Sequence, residues 1–115
     1  MNPIRNIHPE SKIGKNVKIG AFVTVEKDVV IGDNTEIFPN AVIMNGTRIG
    51  ENCKVFPGAI VGSIPQDLKY KGERTFLEIG NNVTIREYCT INIGTTSNGK
   101  TVIKDNCLIM AYCHI

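Results

Sequence analysis

The chain has 115 residues, 13 Lys and Arg against 11 Asp and Glu, and a formal net charge of +2. That balance leaves no field strong enough to draw the chain onto nucleic acid or an anionic membrane surface, and no run of about 18 apolar residues is present to cross a bilayer. Hydrophobic residues make up 42% of the chain, yet aromatics are only 6% and Trp is absent, so the large rings that usually fill a core are scarce.

Length predicts a single domain, 1–115. The first residues, Met1 to Gly14, lack the apolar stretch of a signal peptide, so a cytoplasmic protein is expected. His8 follows the first aliphatic residue and reads as a surface residue near the amino terminus. From Ile7 onward every sixth position is an aliphatic: Ile7, Ile13, Ile19, Val25, Ile31, Ile37, Ile43, Ile49, Val55 and Val61. The series lapses at Asp67, Glu73 and Ser97 and otherwise continues to Ile115, so 16 of 19 positions are Ile or Val, where background usage gives about two or three.

A second series sits four residues further on and is small or β-branched: Val17, Val23, Val29, Thr35, Ala41, Thr47, Cys53, Ala59, Val83, Cys89, Cys107 and Cys113. Gly often follows the aliphatic, as at Gly14, Gly20, Gly32, Gly50, Gly62 and Gly80, and is expected to relieve a corner. A period of six fits neither a helix nor simple strand alternation. It predicts short strands separated by tight turns, three to a coil of eighteen residues, with coils stacked about 4.8 Å apart.

Two stretches break the pattern. Residues 62–78 concentrate polar and charged chemistry, and residues 94–101 have the Gly/Ser/Asn composition of a loop. In a solenoid such insertions leave the coil and usually lie on its binding side. The four cysteines, Cys53, Cys89, Cys107 and Cys113, all take the small inward position and read as core residues. No CxxC pair suggests a metal or a disulfide. His114 falls between Cys113 and Ile115, where the alternation points its side chain outward.

The hexads resemble those of the hexapeptide-repeat acyltransferases, and more specific motifs narrow the likeness. The loop Gly62-Ser-Ile-Pro-Gln-Asp-Leu-Lys-Tyr-Lys-Gly-Glu73 is similar to the signature loop of the UDP-N-acetylglucosamine O-acyltransferases. Ile79-Gly-Asn-Asn-Val-Thr-Ile-Arg-Glu-Tyr-Cys-Thr-Ile-Asn-Ile-Gly-Thr95 and Asn106-Cys-Leu-Ile-Met-Ala-Tyr-Cys-His114-Ile115 resemble that family's next coil and its catalytic coil. The resemblance implies an all-β fold, a left-handed parallel β-helix, which departs from the usual right-handed crossover. It also implies an amino-terminal portion, cut before later coils and a helical carboxyl-terminal domain.

The activity implied is transfer of an (R)-3-hydroxyacyl chain from acyl carrier protein to the 3-hydroxyl of UDP-N-acetylglucosamine, the first step of lipid A biosynthesis, by a homotrimer without cofactor or metal. Carried over by position, Gln66 and Asp67 contact the sugar nucleotide and the acyl chain's hydroxyl, and Lys69 supplies a cation. Asn92 and His114 complete the substrate-binding set. Asn92 stands where many relatives have His, followed by Ile93 where they have Arg, so a charge-based role there is lost. The family's general base is a second His three residues beyond the position of His114, which leaves no catalytic base among these 115 residues. Other readings of the same hexads are a transferase acting on a different sugar nucleotide or on a glucosamine amine, and a non-enzymatic scaffold.

Overall fold

The computed structural model describes residues 4–63, 75–94 and 99–115. All regular structure among the described residues is strand, laid down three strands to a coil. The first coil is β1 (Asn6–Ile7), β2 (Lys12–Ile13) and β3 (Lys18–Ile19). The second is β4 (Thr24–Val25), β5 (Val29–Ile31) and β6 (Glu36–Ile37), and the third is β7 (Val42–Ile43), β8 (Thr47–Ile49) and β9 (Lys54–Val55). The fourth is β10 (Ile60–Ser63), β11 (Phe76–Ile79) and β12 (Thr84–Ile85), and the fifth is β13 (Thr90–Asn92), β14 (Lys100–Ile103) and β15 (Leu108–Ile109).

Stacking these coils makes three parallel sheets of five strands each: β1-β4-β7-β10-β13, β2-β5-β8-β11-β14 and β3-β6-β9-β12-β15. The prism is a left-handed parallel β-helix, as the family resemblance implied. Its aliphatics pair in register down each face. Ile7, Val25, Ile43, Val61 and Ile91 form one ladder. Ile13, Ile31, Ile49, Ile79 and Ile103 form the second, and Ile19, Ile37, Val55, Ile85 and Ile109 the third.

The inward residues close the core from the middle coils outward. Val25, Ile31, Ile37, Ile43, Val55, Val61, Ile85 and Ile91 are fully buried, with the small series Val23, Ala41, Cys53, Ala59, Val83 and Cys89 between them. Leu77 occupies the small position of β11 and is buried there too, which the sequence reading missed because it treated the residue as loop. Inward hydroxyls find partners: the Thr35 hydroxyl donates to the Gly50 carbonyl at 2.8 Å and accepts from the Cys53 N–H at 3.2 Å. No buried side-chain nitrogen or oxygen among the described residues lacks a partner.

The corners divide two tasks that the sequence reading had merged. Positive φ falls three residues before most of the aliphatics, chiefly on Asn16, Asn34, Asn40, Asn52, Asn82 and Asn106 and on Gly46 and Gly58, residue types that tolerate the left-handed region. Gly62 apart, which has positive φ itself, the glycines directly after the aliphatic serve another purpose. A Cβ on Gly14, Gly50 or Gly80 would collide with the side-chain oxygen of Asp33, Asn81 or Asp105 in the next coil. Those same oxygens accept the N–H of Lys15 at 2.7 Å, of Glu51 at 2.8 Å and of Asn81 at 2.7 Å. Gly here admits a side chain from the next coil, which makes a ladder of hydrogen bonds along one corner.

Strand structure reaches further into both interruptions than composition predicted. The stretch read as loop over 62–78 is strand at 62–63 and 76–78, and that read over 94–101 is strand again from Lys100. Pairing with the coils on either side, such as Phe76 with Lys100 and Leu77 with Thr47, overrides the polar composition. Ile49 pairs with Ile79, thirty residues on, and Ile79 with Ile103, twenty-four on. The insertions therefore exceed a coil by two hexads and by one. For that reason the six-residue phase runs through both unbroken.

Candidate functional site

Both insertions fall between the first and the second sheet, at one corner of the prism. The first joins β10 to β11 and the second joins β13 to β14, so each departs from the first sheet and rejoins on the second, in successive coils. Gln66, Asp67 and Lys69 lie outside the described residues, in the segment bracketed by Ser63 and Thr75. Their proximity to one another or to the other candidates stays an expectation of the sequence.

The brackets themselves are tied together. The Thr75 hydroxyl donates to the Gly94 carbonyl, and the Gly94 N–H donates to the Phe76 carbonyl at 3.0 Å. Gly94 also has no room for a Cβ against the Lys100 backbone. The end of the first insertion is thus bonded to the start of the second, and the second is pinched shut at its base.

Asn92 ends β13 at this corner. Its N–H donates to the Ile115 carbonyl at 2.9 Å, and its side-chain carbonyl accepts from the Ser63 hydroxyl. His114 is paired with Thr90 in a parallel bridge, and Thr90 lies two residues before Asn92 on the same strand. With Ile91 and Ile115 as the inward residues, Asn92 and His114 project from the outer side of the first sheet in neighbouring coils, diagonal neighbours of the kind about 7–8 Å apart at Cα. His114 is exposed, as the alternation predicted, and Asn92 is half-buried.

Beneath the corner lies a polar network that sequence reasoning did not single out. The Arg48 guanidinium donates to the Asp28 carboxylate at 2.8 Å and to the Asp28 carbonyl at 2.9 Å, with its carbon 5.0 Å from the Phe76 ring centroid. Asn45 accepts from the Asp28 N–H and donates its own N–H to Glu26, both at 2.9 Å. About a third of each partner in the Arg48–Asp28 pair is exposed, so the pair is worth about 1 kcal/mol at most. Its stronger effect is geometric, since it holds the turn between the first and second sheets. Spacing gave no signal for it, because the partners come from adjacent coils.

A groove also runs over the second sheet, lined by Arg48, Glu78, Val102, Lys104 and Asp105. It lies across the corner from Asn92 and His114. Its cation Arg48 is engaged by Asp28, and its carboxylate Glu78 by Lys100 at 3.4 Å. The two sequence candidates among the described residues, Asn92 and His114, lie at the corner and not in this groove.

The cysteines sit as expected. Cys53 and Cys89 are buried, and burial pushes both thiols up from their ordinary range. The described residues contain no cluster of His, Cys, Asp or Glu able to hold a metal ion.

Comparison with known proteins fits this architecture. The family model of bacterial transferase hexapeptides, six repeats, matches residues 10–43 and 28–63. The repeats and the three-sided prism are those of the hexapeptide-repeat fold. A UDP-N-acetylglucosamine O-acyltransferase of Campylobacter curvus is 52% identical over 97% of the chain and 46% of that protein. One from a Sulfurihydrogenibium species is 51% identical over the whole chain and 43% of the relative. The crystal structure of a UDP-N-acetylglucosamine acyltransferase from Bacteroides fragilis superposes with a TM-score of 0.97 at 51% identity, over all of this chain and 45% of that one. Within the transferases the chain belongs to the UDP-N-acetylglucosamine O-acyltransferase family. It spans less than half the length of the relatives it matches.

Proposed function

We propose that the chain forms part of an acyltransferase that moves an (R)-3-hydroxyacyl chain from acyl carrier protein to the 3-hydroxyl of UDP-N-acetylglucosamine, opening lipid A biosynthesis. The observation that carries this reading is identity above 50% to acyltransferases of that name over nearly the whole chain, both insertions included. In the reaction a general base removes the proton of the sugar hydroxyl, the oxygen attacks the thioester carbonyl, and the carrier's thiol leaves protonated. Gln66, Asp67 and Lys69 on the first insertion, with Asn92 and His114 at its root, bind the substrates. A carboxylate and an ammonium suit the hydroxyls, amide and phosphates of a sugar nucleotide as acceptor and donor. Neither of the chain's two histidines occupies the position of the family's general base. The working assembly is a cytoplasmic homotrimer that needs no cofactor.

Titration of UDP-N-acetylglucosamine into the chain, followed by calorimetry, tests the reading. Saturable binding is expected, weakened at least about tenfold by Asp67→Ala, as loss of a charge-assisted hydrogen bond implies. The 115-residue polypeptide alone is expected to give no acyl transfer. Binding that is indifferent to Asp67→Ala and Lys69→Ala together would support a scaffold, and turnover by this polypeptide would overturn the assignment of its histidines.

A further inference from the structure

The fourth coil breaks register at one place. Ile60 pairs with Thr90 and Val61 with Ile91, but Asn92 pairs with Ser63, so Gly62 is an extra residue and the ladder shifts between Val61 and Ser63. Such a bulge turns the next side chain to a new direction. Gly62 carries it with φ at +92°, and a Cβ there would collide with the Thr47 hydroxyl. The position accepts only Gly on both counts.

The consequence falls on Ser63. Its carbonyl accepts the Ile93 N–H at 2.9 Å, and its hydroxyl donates to the side-chain carbonyl of Asn92. One residue is thus bonded through its side chain to the end of β13 and through its backbone to the residue that follows it. An Asn amide offers an acceptor on one side and two donors on the other. With the carbonyl taken by Ser63, the NH2 group of the half-buried Asn92 has no hydrogen-bond partner among the described residues.

We propose that Ser63 is a positioning residue that fixes the Asn92 amide, presenting its NH2 group to an acceptor oxygen of the bound ligand. This deepens the sugar-nucleotide reading and rests on it for the identity of the ligand. It also accounts for a neutral Asn in a place where a charged group would need no such orientation. An unrestrained amide samples both faces, whereas a restrained one shows a phosphate, carbonyl or hydroxyl oxygen only its donors.

The side-chain amide resonances of Asn92, assigned by their disappearance in Asn92→Ala, report the restraint without ligand. Ser63→Ala is expected to move them to the position of a freely exposed amide, and Ser63→Thr to leave them in place. Unchanged Asn92 signals in Ser63→Ala would overturn the proposal. Ile and Val methyl signals of the ladders show whether each variant is folded. Binding of UDP-N-acetylglucosamine then tests the route of action. Ser63→Ala and Asn92→Ala should each weaken binding by up to about tenfold, the scale of one neutral hydrogen bond, and the double variant should bind as Asn92→Ala alone. Asn92→Asp keeps an acceptor for the Ser63 hydroxyl but removes the donors, so it should lose affinity as Asn92→Ala does. Additive losses in the double variant, or full affinity in Asn92→Asp, would overturn the proposal. A wild-type chain that fails to bind this nucleotide overturns the function proposed above, and the amide spectrum then decides the positioning role by itself.

Discussion

Gly80 illustrates how a single residue is fixed by the coil above it. Its backbone is not in the left-handed region, so conformational freedom does not explain it. A methyl group there would meet both the Asp105 side-chain oxygen and the Asp105 N–H, and that oxygen is the acceptor for the Asn81 N–H at 2.7 Å. Gly80→Ala therefore overpacks the corner and dislodges a hydrogen bond at once. The expected loss is about 1–3 kcal/mol, measured by denaturant unfolding, and Asp105→Ala in the same background should recover part of it by vacating the space. A different restraint acts on Phe22, Tyr88 and Tyr112, which hold φ of 59°, 56° and 63° where most coils place Asn or Gly. Tyr88 and Tyr112 stack at 5.6 Å between ring centroids, which offsets part of the backbone cost.

At the scale of the strand and its inward residues, the small series carries a pH dependence. The Cys53 thiol lies 3.1 Å from the Gly80 carbonyl and the Cys89 thiol 2.7 Å from the Met110 carbonyl, each an acceptor that disfavours a thiolate. Burial raises both thiols in the folded chain, whereas unfolded thiols ionise near 8.5 as usual. Above that pH the unfolded state loses protons that the folded state keeps, so stability falls as pH rises and is fully present below it. Unfolding curves from pH 7 to 10 should show this decline, and a Cys53→Ala, Cys89→Ala variant should lack that part of it. A decline identical in both proteins would remove the cysteines from the account. The inward place of these cysteines was legible in the sequence because the six-residue period states which way every side chain points. Reading 62–78 as loop hid Leu77, although it is in phase with the small series, and the expectation that Gly relieves a corner did not name the adjoining coil's side chain as what the space admits. It also gave no notice of Ser63, Arg48 or Asp28 as partners. Those contacts join residues 29 or 20 apart through the stacking of coils, and a bulge of one residue leaves no mark on composition.

The whole molecule is a stack in which each coil meets only its neighbours, so stability is expected to vary along the axis rather than to be shared evenly. The ladder of the second sheet shows the gradient: Ile13 is 36% exposed, Ile49 is 3% exposed, and Ile103 is 6% exposed. Ile13 has a partner on one side only, Ile31, whereas Ile49 is held between Ile31 and Ile79. Truncation at the middle of the ladder removes contacts with two coils and leaves a cavity, at about 2–5 kcal/mol; the same truncation at Ile13 exposes little that was buried and should cost well under half as much. Amide exchange provides a second axis of the same test. Backbone bonds between β7, β8 and β9 and the coils on either side should open most slowly, and those joining β1 and β2 to the second coil should open fastest. The corner that carries Asn92 is then held on the well-packed third and fourth coils, where Arg48, Asn45 and Ser63 reside. Equal costs for Ile13→Ala and Ile49→Ala, together with uniform exchange along the stack, would show that the prism opens as one cooperative unit. That result would also remove the mechanical reason for rooting a binding site in the middle coils.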